Sequence, residues 1–252
     1  MRKAHALSAH HRNRLLAGGA LAALLTVATL VTATVTCLPG TVPSDDVGDG
    51  PVPEADGASS HHVPVVHRVD TGEPVVFVTI DDGLHAGGEA LDVVREHDIP
   101  VSLFLNEGPV ADDASYFAEY IAMGNHVHSH TLTHQELTRL DAARQTHEIC
   151  GMVDVLRDHY GDTGHVGSLL RAPYGASNED TAAAARACGL DAIVHWSVTA
   201  EHGRLSFAAG DELRPGDIIL THFTEDLPDN LDRIRELADE EGLIIARLED
   251  YL

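Results

Sequence analysis

Two adjacent carboxylates, Asp81 and Asp82, stand where the apolar run Val75-Val76-Phe77-Val78-Thr79-Ile80 breaks at Gly83, and two imidazoles follow in His130-Thr131-Leu132-Thr133-His134. Like charges at close range raise each other's pKa, so neighbouring carboxylates at a strand end are costly unless a cation lies between them or one is protonated. Two imidazoles and one carboxylate would hold a divalent ion and leave one coordination position open for water. The second carboxylate is then free to act as a base. Taken alone, Asp81-Asp82-Gly83 also fits a solvated turn that merely ends a strand. The chain carries 18 histidines, and His126, His128 and His130 would share one face of an extended segment, an alternative ligand trio.

Two further groups follow strand-like runs: Arg171-Ala172-Pro173-Tyr174-Gly175 after Leu169-Leu170, and His222 after Ile218-Ile219-Leu220. Separately, each reads as a turn with an exposed arginine or a strand end with a satisfied histidine. Their order, and their placement at the ends of successive strands, favours one shared site.

The elements that must position these residues alternate. A strand over 75–80 precedes a helix over 88–98, a strand over 101–105 and a helix over 111–123. A long helix over 141–160 shows Ile149, Met152, Val153 and Leu156 at steps of three to four. Short strands at 169–170, 192–194, 218–220 and 243–245 are separated by helices over 179–188 and 231–241. Strand, helix, strand in this repetition implies a parallel sheet. The number of units predicts an α/β fold, a distorted (β/α)7-type barrel with the active site at the C-terminal ends of the strands.

Composition narrows the setting. The 252 residues carry 44% hydrophobic side chains and a formal charge of -24, which fits a packed domain and argues against nucleic acid as a partner. Arg2, Lys3, Arg12 and Arg14 all precede the first acidic residue, and an uncharged stretch rich in Leu, Ala, Val and Thr runs from Leu15 to Leu38. That length suffices to cross a bilayer, and the basic flank predicts the N-terminus inside and the rest outside. A retained signal-anchor and a cleaved secretory signal both remain open. Cys37 is a weak lipidation signal. The expected organisation is therefore a targeting segment over 1–38, a Pro/Gly/Asp-rich flexible linker over 39–64 and a catalytic domain over 65–252, extracytoplasmic, membrane-anchored or secreted. An outward-facing compartment permits a disulfide between Cys150 and Cys188, although the residues equally allow two separate buried thiols. With only 4% aromatic residues, the stacking candidates for a sugar are Trp196, Tyr116 and Phe223. The acidic, lysine-poor surface suits either simple solubility or work in high salt or against a basic polymer.

From about Val63 to Leu252 the chain resembles the polysaccharide deacetylases, carbohydrate esterase family 4, built on the NodB-homology domain. Thr79-Ile80-Asp81-Asp82-Gly83 is similar to that family's Thr-Phe-Asp-Asp-Gly motif, with Ile80 replacing Phe. His130-Thr131-Leu132-Thr133-His134 resembles its His-Thr/Ser-x-x-His motif, Arg171-Ala172-Pro173-Tyr174 its Arg-x-Pro-Tyr motif, and Leu220-Thr221-His222 its Leu-x-His motif. One motif departs from the pattern. After Trp196 the family carries an Asp-Trp pair whose Asp supports the acid histidine, whereas this chain reads Ser197-Val198-Thr199-Ala200-Glu201-His202-Gly203, leaving Glu201 or Asp211 as candidate substitutes.

The resemblance implies a distorted barrel and assigns roles by position. Asp81 would be the general base, Asp82, His130 and His134 the metal ligands, His222 the general acid, and Arg171 the residue that orients Asp81. Tyr174 would offer a backbone N–H to an oxyanion, while Trp196 and Leu220 would line the acetyl pocket. The implied cofactor is a divalent metal, foremost Zn2+, with Co2+, Ni2+ or Mn2+ as alternatives. The implied reaction removes N-acetyl groups from an N-acetylglucosamine glycan, peptidoglycan or chitin-like. O-acetyl xylan esterase, another amide hydrolase, and a non-catalytic glycan-binding domain are the alternatives. The expected partners are the acetylated glycan and, through the N-terminal segment, a membrane. A monomer is expected.

Overall fold

The computed structural model describes residues 63–84 and 87–252. The expected membrane-directed segment over 1–38, Cys37 and all but the end of the 39–64 linker lie outside the described residues. No described helix is long and apolar enough to cross a membrane.

In chain order the elements are β1 (Val65–Val66), β2 (Val75–Asp82), α1 (Gly88–His97), β3 (Val101–Leu105), α2 (Glu107–Ala122), β4 (His126–Ser129), α3 (Ala142–Tyr160), β5 (Val166–Leu170), α4 (Glu179–Ala187), β6 (Ala192–Val194), β7 (Val198–Glu201), β8 (Arg204–Phe207), β9 (Ile218–His222), α5 (Leu227–Glu240) and β10 (Ile244–Ile245). The strands join in the order β1-β6-β5-β4-β3-β2-β9-β7-β8, with β10 added beside the start of β2. Every pairing is parallel except β7 with β8, a hairpin turned at His202-Gly203. The result is the expected α/β architecture, a sheet curled into a distorted barrel.

Side chains alternate across the strands with a period of two, and the alternation divides the core. Val76, Val78 and Ile80 of β2, with Leu103, Leu105 and Ile219, face outward and pack with Val94, Phe117, Met152 and Ile234 of the helices. Val75 and Phe77, with Phe104, Leu169, Val194 and Ile218, fill the inside of the curl against Leu248. Burying each such side chain contributes roughly 1.5–3 kcal/mol. Continuing along the inward faces toward the strand C-termini, the apolar layer gives way to Thr79 and Asp81 on β2, Arg171 just past β5, and His222 on β9. The core therefore forms the floor of the site.

Several boundaries differ from the sequence pattern. β2 runs through Asp81 and Asp82 because both stay in register with Phe104 and Leu105 of β3. β4 is a strand the apolar pattern does not predict, since its residues are His126, Val127, His128 and Ser129. α2 begins at Glu107, with a break at Asp113 (φ -150, ψ 74) that hides its first turn. Cys150 on α3 and Cys188 at the end of α4 form a disulfide across 38 residues, which decides between the two readings of these cysteines.

Candidate metal centre and active site

Asp82, His130 and His134 converge at the C-terminal rim, their ligand atoms all within 4.8 Å of one another. Strict alternation would send Asp81 and Asp82 to opposite faces of β2. The backbone at Asp82 adopts φ 76, followed by Gly83 at φ 89, and both carboxylates reach His130. Asp82 Oδ1 lies 3.4 Å from His130 Nε2 and 3.5 Å from His134 Nε2. A tetrahedral ion with bonds of ~2.1 Å separates its ligand atoms by about 3.4 Å. The same Oδ1 is buried and has no hydrogen-bond partner among the described residues. A buried oxygen without a donor needs a cation or a proton, so these residues fit a divalent metal.

The electrostatics agree. Burial by itself raises the Asp82 carboxyl, yet the contact with His130 and the charges of His130, His134 and His222 bring it below its ordinary value. Burial pushes His130 down, but Asp81 and Asp82 outweigh it and raise the imidazole's affinity for positive charge. His134 is lowered by burial and by His130, a shift toward the neutral imidazole that a metal ion requires. His130 Nδ1 lies 2.9 Å from the backbone oxygen of Arg171. With the Nδ1 proton donated there, the Nε2 lone pair faces Asp82 and the ion position.

Asp81 is handled differently from its neighbour. Arg171, fully buried, donates from Nη1 to Asp81 Oδ1 at 2.7 Å and to Thr79 Oγ1 at 2.7 Å. Its Nε bonds Val194 O and its Nη2 bonds His195 O, and Phe104 lies beneath the guanidinium at 4.2 Å. One Asp81 oxygen is thus fixed, and Oδ2 remains directed at the metal position, 3.7 Å from His130 Nε2.

His222 pairs in register with Asp81 across β2 and β9, which brings it to the same rim. No described side chain hydrogen-bonds its ring, and neither Glu201, at the end of β7, nor Asp211 pairs with it. Tyr174 sits at φ 61 after Pro173, exposed, with its ring 4.8 Å from that of His134. Gly175, at φ 67, packs where a Cβ would meet Trp196 at 3.3 Å, so Trp196 lies directly under this loop. Leu220 is buried on the inward face of β9, opposite Thr79. All nine candidate residues therefore lie on this rim or just beneath it.

Other residues fall elsewhere. His128 leaves the alternative trio: its Nε2 is 2.6 Å from Glu249 Oε1, deep under the site. Tyr116 and Phe223 are only 8% and 1% exposed, so neither can stack on a sugar. Conversely, sequence reasoning misses Thr79, which supports Arg171, and Asn106, whose Nδ2 donates to the backbone oxygens of His130 and Thr131. Thr79 lies inside the motif itself, while Asn106 at the end of β3 carries no such signal.

Residues 68–193 match the family described as polysaccharide deacetylase. An uncharacterized protein of Streptomyces coelicolor is 37% identical over 198 residues, covering 75% of this chain and 77% of its own length. A chitooligosaccharide deacetylase of Sinorhizobium fredii is 33% identical over 168 residues, covering 62% and 75%. A solved family 4 carbohydrate esterase from Bacillus anthracis has the same fold, with a TM-score of 0.63 at 23% identity over 74% of this chain and 86% of that one.

Proposed function

Because the chain belongs to the polysaccharide deacetylase family, we propose that it is a metal-dependent hydrolase that removes N-acetyl groups from N-acetylglucosamine-containing glycan outside the membrane. The observation that carries this reading is the division of labour at Asp81-Asp82: one carboxylate faces two imidazoles, and the other is clamped by Arg171 beside them. The Sinorhizobium relative's name, chitooligosaccharide deacetylase, supports an acetylated amino-sugar substrate. The Cys150–Cys188 disulfide and the basic, then apolar, N-terminus support an oxidising compartment, with peptidoglycan or a chitin-like polymer as the first substrates to test.

Asp82, His130 and His134 would hold the ion, and three protein ligands of this kind suit zinc. Bound there, it would polarise the acetyl carbonyl and acidify a water. Asp81 accepts the proton of the attacking water on Oδ2, since Arg171 occupies Oδ1 and keeps the carboxylate oriented. His222, across the rim, protonates the departing amine, a task suited to an imidazole near neutral pH. The Tyr174 backbone N–H contributes to the oxyanion, and Trp196 and Leu220 enclose the acetyl methyl.

The test is acetate release by the zinc-loaded protein from acetylated peptidoglycan, chitin oligomers and acetylated xylan. Release from the amides supports N-deacetylation, whereas release from xylan alone would make the protein an esterase. One observation favours a second reading, a non-catalytic glycan-binding domain: no described carboxylate hydrogen-bonds the ring of His222. Equal acetate release by wild type and Asp81→Asn would remove Asp81 from the mechanism, and no release from any substrate would leave the binding domain.

A further inference from the structure

The loop that carries both histidine ligands is backbone-strained, with Thr131 at φ 69 and His134 at φ 57. Non-glycine residues hold such angles only where the surroundings over-determine them. The surroundings here are α3. Glu148, only 5% exposed, accepts from the Thr133 backbone N–H at 2.9 Å through Oε2 and from the Thr133 hydroxyl at 2.7 Å through Oε1. The Gln135 amide adds a third bond at 3.2 Å, and the Leu132 N–H donates to the Glu148 backbone oxygen at 3.1 Å. One residue thus holds positions 132 and 133, between the two ligands, and 135, just beyond the second.

The next turn of α3 reinforces the contact. Gly151 is an interior helix glycine, a choice that costs roughly 0.5–1 kcal/mol relative to alanine. A Cβ there would meet Leu132 Cδ1 at 2.5 Å and Cγ at 3.1 Å. The missing side chain therefore lets Leu132 seat on the helix beside Glu148. Cys150, between these two residues, ties α3 to the end of α4.

We propose that Glu148 is a positioning residue for the metal centre: by gripping Thr133 from α3 it sets the separation and orientation of His130 and His134. It touches neither the ion position nor the substrate. Its buried carboxylate matches the two Thr133 donors, and removing it would take from the strained loop the side-chain acceptor that both of them use. The inference rests on the metal centre described above.

The test measures zinc affinity directly, by competition with a chromophoric chelator, in wild type, Glu148→Leu, Glu148→Gln and Val153→Ala. Val153 is buried on α3 among the apolar residues facing α4 and serves as a control for general destabilisation. Glu148→Leu is expected to lose zinc affinity by about 10–100-fold. Glu148→Gln, which retains an acceptor for the Thr133 N–H, should recover part of it, and Val153→Ala should keep wild-type affinity despite a lower melting temperature. If Glu148→Leu does not fold, the Gln variant carries the same comparison. Wild-type affinity in the Glu148 variants, or an equal loss in Val153→Ala, overturns the positioning role alone. A wild-type protein that binds no zinc overturns the metal centre and this role with it.

Discussion

Arg171 Nη1 and Asp81 Oδ1 lie 2.7 Å apart, and both side chains are buried beneath the rim. Removing one partner of such a pair leaves an uncompensated charge, which costs about 3–5 kcal/mol. Arg171→Met is therefore expected to lower the melting temperature sharply as well as abolish acetate release. Arg171→Lys should fail too: a single ammonium cannot replace the four acceptors that the guanidinium satisfies, Thr79 Oγ1, Asp81 Oδ1, Val194 O and His195 O. Wild-type turnover in Arg171→Lys would show that the fork geometry does not matter.

A second expectation concerns the ion. Zinc that binds the folded chain but not the unfolded one stabilises it by ~2.7 kcal/mol at a hundredfold excess over Kd. Thermal unfolding with and without zinc should then differ by several degrees, and a chelator should reverse both the shift and the acetate release. Asp82→Ala and His134→Ala should each eliminate the shift, whereas Glu89→Ala, on α1, should keep it. A zinc shift that survives in Asp82→Ala would place the ion elsewhere.

The His128–Glu249 pair beneath the site predicts a pH effect. Burial alone would raise the Glu249 carboxyl, but its hydrogen bond to His128 and that residue's charge hold it at about 2, against an ordinary 4.5. A depressed carboxyl stabilises the fold fully above its ordinary pKa and loses that contribution as pH falls through the folded value. The size is on the order of 3 kcal/mol. Glu249→Gln should be less stable than wild type at pH 7 by roughly this amount, with the gap less than half as large by pH 3. Denaturant unfolding at the two pH values checks it, and a constant gap would assign the loss to packing.

How much of this was legible in the chain depended on distance along it. The strand-helix alternation and the strand-end placement of Asp82, Arg171 and His222 are local, and the barrel follows from them. The histidines are different: His126, His128 and His130 share a face of β4, so spacing cannot separate them. What separates them is a partner 121 residues from His128, Glu249, which occupies its ring. Glu148 is hidden for the same reason, since nothing in its own helix marks it as the acceptor for Thr133. Phe223 misleads in the other direction. It directly follows His222 but packs edge-on against Phe117 and Tyr120, in the core rather than at the rim.

The disulfide gives the last expectation. Cys150–Cys188 closes a loop of 38 residues, and the chain-entropy model assigns roughly 4 kcal/mol to a loop of that length. The bond also joins α3 to α4, and α3 carries the Glu148 and Gly151 contacts to the histidine loop. Cys150→Ser with Cys188→Ser should therefore lower stability by about 2–4 kcal/mol and weaken zinc binding, the second effect being smaller than that of Glu148→Leu because the loop contacts themselves remain. Denaturant unfolding and chelator competition on the same preparation separate the two quantities. Unchanged stability in the double variant would mean that packing of α4 on α3, through Ala182, Ala185 and Ile149, already fixes the pair without the bond.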